Sequence, residues 1–217
     1  MTTTIIDIIT DELLNPTFEM TRQYLKILEV KYEDNKPKIA KIDFQENQNQ
    51  AIAYVEVKNE SFYLEFVFDT TENIELTGVD TYPFVGISYM PTSKEFTTEE
   101  LLKIITFSPT RAITKGDFFS NGKFKYTYNG LVFETFSEPG RLERKIKYLL
   151  DILETDLEGI IRLSKLTSTR PLFVTIVYHI GNGNFTGLYL ESDIVDRLSK
   201  LGLELTFDIY ATGNKFQ

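Results

Sequence analysis

A chain of 217 residues with 42% hydrophobic and 13% aromatic side chains holds ample material for a core, which excludes disorder over its whole length. It has no cysteine, so disulfide frameworks, zinc–thiolate sites, iron–sulfur clusters and thiol nucleophiles are excluded as well. The formal net charge of −9 sits entirely in residues 1–82, where sixteen acids face seven bases, while residues 83–217 carry sixteen of each.

An acidic balance repels phosphate backbones, so no nucleic-acid partner is expected; it favours a basic protein and speeds the encounter with one. The N-terminus has no basic stretch ahead of an apolar one, and no apolar run approaches the ~20 residues of a spanning helix. The expectation is a cytoplasmic protein without a membrane partner.

Ile5, Ile6, Ile8, Ile9, Leu13 and Leu14 predict a short helix closed by Asn15-Pro16, and Met20, Tyr24, Ile27 and Leu28 a second one around 19–28. The period then falls to two. Strands are expected near 28–33, 40–44, 51–58 and 62–69, an antiparallel meander with turns at Asp34–Pro37, Gln45–Gln50 and Asn59–Ser61. Residues 69–81 read as a linker or long loop, which places an acidic segment at 1–82 and a second domain at 83–217, with a shared core left open.

The second part opens with a strand at 84–90. Thr97 and Glu100 have capping-box spacing ahead of Leu101 and Leu102, and Ser108-Pro109 ends that short helix. A strand is expected at 131–136. Leucines and isoleucines at three- and four-residue steps then predict one long helix over about 140–165, packed through Leu142, Ile146, Leu149, Leu153, Leu157 and Ile160. A dense strand at 172–180 leads into a hairpin at Gly181–Asn184, and a helix capped by Ser192 and closed by Gly202 precedes a last strand. The fold class is α+β: an N-terminal antiparallel β-meander with short helices, followed by a ferredoxin-like mixed sheet with helices on one face.

Glu100-Leu-Leu, Ser108-Pro-Thr-Arg111 and Lys115-Gly-Asp117, followed by strand, long helix, core strand and a leucine-rich helix–strand unit, resemble the bacterial domain-of-unknown-function family 4279. The resemblance covers about residues 83–213. Leu131-Val-Phe133 stands where that family often has a tryptophan, and residues 1–82 have no counterpart. The resemblance implies the fold more than a function; members resemble proteins of bacterial conflict loci, which implies toxin neutralisation by association only.

His179, the one histidine, cannot build a two-histidine metal motif and is expected to be structural or at the solvent edge. Gly181–Gly187 lacks the glycine spacing of a dinucleotide fingerprint and the Gly-Lys-Ser/Thr of a P-loop, so a hairpin turn is the better reading. No catalytic set, metal site or cofactor is expected. The most function-like cluster joins Arg111, Lys115 and Asp117 with Tyr126 and Tyr128, basic groups interleaved with rings that could hold an anion or a base. The competing reading makes Lys115-Gly-Asp117 a turn and pairs Arg111 with a carboxylate. Glu29, Glu56 and Glu65 represent an acidic surface on the meander. The expected function is a non-catalytic binding protein, of immunity type, that neutralises a toxin by contact. A small-ligand or regulatory sensor using the Arg111–Tyr128 loop is the alternative, and an enzyme of unrecognised type a third.

Overall fold

The structure is a computed structural model that describes residues 1–119, 122–167, 169–181 and 188–216. The chain forms two compact units, one comprising 1–85, 176–186 and 209–217, the other 86–175 and 187–208.

The first unit opens with α1 (Thr2–Leu14) and α2 (Glu19–Leu25). Their joint is made by Glu12, whose buried carboxylate accepts the Thr17 N–H, the Thr17 hydroxyl and the Phe18 N–H. Thr17 and the N-cap Phe18 lie just ahead of α2, so these bonds fix how the chain enters it. A two-stranded ribbon follows, β1 (Tyr32–Glu33) and β2 (Lys36–Pro37), turning through Asp34 and Asn35 at positive φ. The meander is β3 (Ile39–Gln45), β4 (Gln50–Glu56), β5 (Tyr63–Asp69) and β6 (Glu75–Tyr82), antiparallel throughout and in sequence order. One face of the sheet, with Ala53, Val55, Leu64, Phe66 and Phe68, packs into a core with Ile5, Ile9 and Tyr24.

Two expectations need correction here. The stretch at 28–33 supplies only the β1 end and an isolated bridge from Val30 to Val57, and the fourth strand of the meander lies instead at β6. The expected linker at 69–81 is therefore mostly strand. As the edge strand, β6 leaves Glu75, Thr77 and Asp80 exposed, so it shows too weak an apolar rhythm to be read as a strand.

The second unit carries a mixed sheet. Its strands are β7 (Phe84–Tyr89), β8 (Thr92–Ser93), β9 (Arg111–Ile113), β10 (Asn129–Glu134), β11 (Pro171–His179) and β12 (Glu204–Thr212), in the order β12-β11-β7-β10-β8 with β9 also on β10. The division between the units falls within β7, β11 and β12. The molecule is thus α+β, a meander followed by a mixed sheet and helices. The expected hairpin at 181–184 runs into residues outside those described.

Between the strands lie α3 (Thr98–Leu102), α4 (Leu142–Leu153), α5 (Leu157–Thr167) and α6 (Ser192–Leu201). The capping box of α3 is present, with Thr97 accepting the Glu100 N–H and the Glu100 carboxylate accepting the Thr97 N–H. Gly202 closes α6 in the left-handed region, but the N-cap of α6 is Glu191, and Ser192 is its first helical residue.

The single long helix expected at 140–165 is broken, because one turn of 3-10 helix at Glu154–Asp156 separates α4 from α5. Asp156 causes the break. Its carboxylate accepts the Gly159 N–H at 2.9 Å and the Thr106 N–H at 2.8 Å, the action of an N-cap side chain. A Cβ at Gly159 would meet that carboxylate as it now lies, so a larger residue there requires the Asp156 side chain to move. Past the break the helix phase changes. Leu142, Ile146, Leu149, Leu153 and Ile160 are buried as expected, but Leu157 is 41% exposed.

Candidate functional site

Arg111, Lys115, Asp117, Tyr126 and Tyr128 come together around one hairpin of the second unit. Its arms are joined by Gly116 N–H to Tyr126 C=O, Tyr126 N–H to Asp117 C=O and Phe119 N–H to Phe124 C=O, at 2.9, 2.9 and 2.7 Å. Lys115-Gly116-Asp117 is a turn in which the Asp117 N–H donates to the Thr114 carbonyl, and Gly116 takes a φ of +97°, a region glycine enters without strain. The hairpin is anchored by a residue that no sequence pattern marked. Asn129 accepts the Lys115 N–H at 2.8 Å and donates to the Phe96 carbonyl at 3.0 Å, which ties the hairpin to the start of β10 and to the segment before α3. Asn129 sits next to Gly130 at the start of a strand, an unremarkable context that offers no signal.

The aromatic residues of the hairpin form a ladder. Phe119 stacks on Tyr126 with centroids 4.0 Å apart, and Tyr126 meets Tyr128 edge-on at 5.6 Å. Burial, then the neighbouring Tyr126, push the Tyr128 phenol above its ordinary value. Arg111 donates to the Tyr126 hydroxyl at 3.3 Å and pairs with Glu134 at 3.6 Å, so its charge is partly met within the unit. Lys115 and Asp117 are exposed. Beyond the ladder Phe118 and Phe124 are 60% and 66% exposed, with the Lys125 ammonium 4.8 Å from the Phe118 ring centre.

The three glutamates of the first unit are not equivalent. Glu29 pairs with Lys58 at 2.7 Å, and Glu56 pairs with Lys31 at 2.7 Å and Lys38 at 3.5 Å. Glu65 lies on the sheet face away from the core, in register with Tyr54 on β4 and Asp80 on β6. Burial, then Asp80 beside it, push its carboxyl up to about 7. At neutral pH it is a half-charged group rather than a free anion.

A second concave feature of the second unit is a groove of about 760 Å³. Phe136, Tyr148 and Tyr189 supply its rings, Arg141, Arg144 and Lys147 its bases, and Glu143, Asp151 and Glu191 its acids. Lys147 is held by Glu191 at 2.8 Å and Asp193 at 3.4 Å, and Asp151 by Arg197 at 2.6 Å. Arg144 and Tyr148 follow the same three- and four-residue spacing as the core stripe of α4 but on its outer side, where periodicity signals nothing beyond a solvated face.

Residues 90–212, more than half of the chain, match the family described as domain of unknown function DUF4279. The chain belongs to that family. The DUF4279 match takes in the hairpin, Asn129, the groove and His179, and it leaves α1, α2 and the meander outside. No curated protein and no solved structure matches the chain.

Proposed function

We propose that this DUF4279 protein is a non-catalytic binding protein that acts by direct contact with a partner protein, in the manner of an immunity protein neutralising a toxin. The observation that carries this reading is the pair of well-exposed rings, Phe118 and Phe124, presented beside lysines on a hairpin whose own ladder and Asn129 anchor hold it in shape. Exposed aromatic side chains held in place before binding are what the centres of protein interfaces are enriched in. The partner is preferentially basic, since the field that steers encounter depends on net charge and residues 1–82 carry all of the excess. Local pairing of Glu29 and Glu56 leaves that sum unchanged.

The test is to purify the tagged chain from its host, identify what accompanies it, and rebuild the complex from purified components. Wild type is expected to bind the purified partner, to suppress the growth arrest which that partner causes alone, and to associate more slowly as salt is raised. Replacing Phe118 and Phe124 together by alanine is expected to weaken binding at least tenfold. A double variant that binds as wild type does, or a partner that is harmless when expressed alone, defeats the corresponding half of the proposal.

A small-ligand sensor is the second reading, and the groove at α4 favours it, with a volume inside the range of small-molecule sites. The same preparations separate the two readings: a bound small molecule lost in Tyr148→Ala, but kept in the Phe118 and Phe124 double variant, supports the sensor.

A further inference from the structure

His179 is fully buried in the first unit. Its Nδ1 accepts the Gly181 N–H at 3.2 Å, and its Nε2 lies 3.0 Å from the Asn214 carbonyl oxygen. An amide N–H only donates and a carbonyl only accepts, so the proton is on Nε2 and the ring is neutral. Tyr24, Phe62 and Phe216 enclose it, with ring centres 5.7, 5.1 and 5.6 Å away. Two glycines leave room for it. A Cβ at Gly181 would lie 2.7 Å from the ring's Cε1, and one at Gly213 would lie 2.9 Å from its Cδ2.

Two of these contacts, Asn214 and Phe216, belong to the C-terminal segment. Its first part, 209–212, is the end of β12 and pairs with β11; beyond that ladder Thr212 C=O accepts the Ile180 N–H at 2.7 Å, the Thr212 hydroxyl reaches Glu60 at 3.0 Å, and the Asn214 amide donates to the Ile27 carbonyl at 2.9 Å. We infer that His179 is an acid-sensitive latch, which holds residues 209–216 onto the rest of the first unit while it is neutral and loosens them when it is protonated.

Protonation places a second N–H on Nδ1, pointing at the Gly181 N–H, so that hydrogen bond becomes a contact between two donors and a charge is left in an apolar enclosure. Burial therefore holds the imidazole below its ordinary value, against the Asn214 hydrogen bond and the carboxylates of Glu60 and Asp80, which favour the cation. Both carboxylates are already engaged, Glu60 by the Thr212 hydroxyl and Asp80 by the Tyr24 hydroxyl. Tyr24, the titratable ring against His179, stays protonated because burial, then Asp80, push its phenol far up. With a folded value below the unfolded one of about 6.5, the latch is at full strength above pH 6.5 and weakens as pH falls through the folded value. Over that window the loosened population rises by up to about tenfold per pH unit.

A single histidine gives one Cε1–H signal in a proton NMR titration. Its midpoint is expected below 6.5, and a midpoint at or above 6.5 overturns the inference. Amide exchange over 209–216, corrected for the intrinsic pH dependence, is expected to lose protection between pH 7 and 5 in wild type and to stay level in His179→Gln, with the amides of β4 as internal reference. Unchanged protection in wild type, or the same loss in His179→Gln, overturns it too. Should His179→Gln not fold, Phe216→Ala opens one wall of the enclosure and is expected to move the titration midpoint up towards 6.5; an unmoved midpoint counts against the latch. Glu65 cannot imitate the effect. Its folded value of about 7 exceeds the ordinary 4.5, so its contribution is full below 4.5 and lost as pH rises through 7, the opposite sense.

Discussion

Two ring-rich regions of this molecule use the same side chains for opposite ends. Around His179 the rings of Tyr24, Phe62 and Phe216 enclose a polar group, and Tyr24 and Phe62 are each 1% exposed. On the hairpin, Phe119, Tyr126 and Tyr128 stack on one another at the surface, and Phe118 and Phe124 face solvent. Composition treats the two regions as equals. What separates them is the source of their neighbours. The rings of the first region are contributed by segments far apart in sequence, whereas those of the second lie within about ten residues of one another and pair along a single hairpin. A local cluster can satisfy only part of each ring and leaves the remainder for something else to cover.

That contrast is open to measurement. The largest effect is expected at Phe62→Ala, which empties a fully packed site and should cost about 3–5 kcal/mol in urea unfolding. A cost below about 1 kcal/mol would mean that the enclosure is loose and the contrast false. Tyr126→Ala removes the middle of the hairpin ladder and is expected to cost about 1 kcal/mol, the range of an aromatic pair beyond its buried area. A loss as large as that at Phe62 would make the hairpin part of a core. Smallest of all, the Phe118 and Phe124 double alanine variant should unfold within about 0.5 kcal/mol of wild type, as changes at exposed positions do. If it is instead as destabilised as Phe62→Ala, those rings are structural and the weakened binding expected of them loses its meaning.

Much of the architecture is legible from periodicity, because burial on one face imposes a rhythm on β4, β5, β11 and the helices. The rhythm fails where burial is incomplete. As an edge strand, β6 exposes much of its length, and the break between α4 and α5 depends on an Asp156 side chain that also bonds the Thr106 N–H fifty residues away. Leu157 looks like a core residue by spacing and is not one, for the same reason. At the hairpin, the turn at Lys115-Gly-Asp117 and the carboxylate partner of Arg111 could be anticipated from residue types, though not the identity of Glu134 as that partner. The Asn129 anchor could not, since a side-chain amide serves any pair of backbone groups that happens to be near. Nor could the state of Glu65, which in sequence is an acid like Glu56 or Asp69 until Asp80 is brought across from β6 and water is removed.

Arg197 has a consequence for how the chain is made. Its guanidinium grips both oxygens of Glu154 at 2.9 Å and reaches Asp151 at 2.6 Å, at the end of α4 where the helix dipole is negative and acids are unwelcome. Until α6 has docked, those two carboxylates lack the Arg197 guanidinium that bonds them both. The first unit waits as well, because residues 209–216 belong to it. As a nascent chain leaves the ribosome, neither unit can therefore complete itself in the order of synthesis. Both units are closed by residues made after the other has begun, and completion of each is expected to lag behind synthesis of its earlier segments.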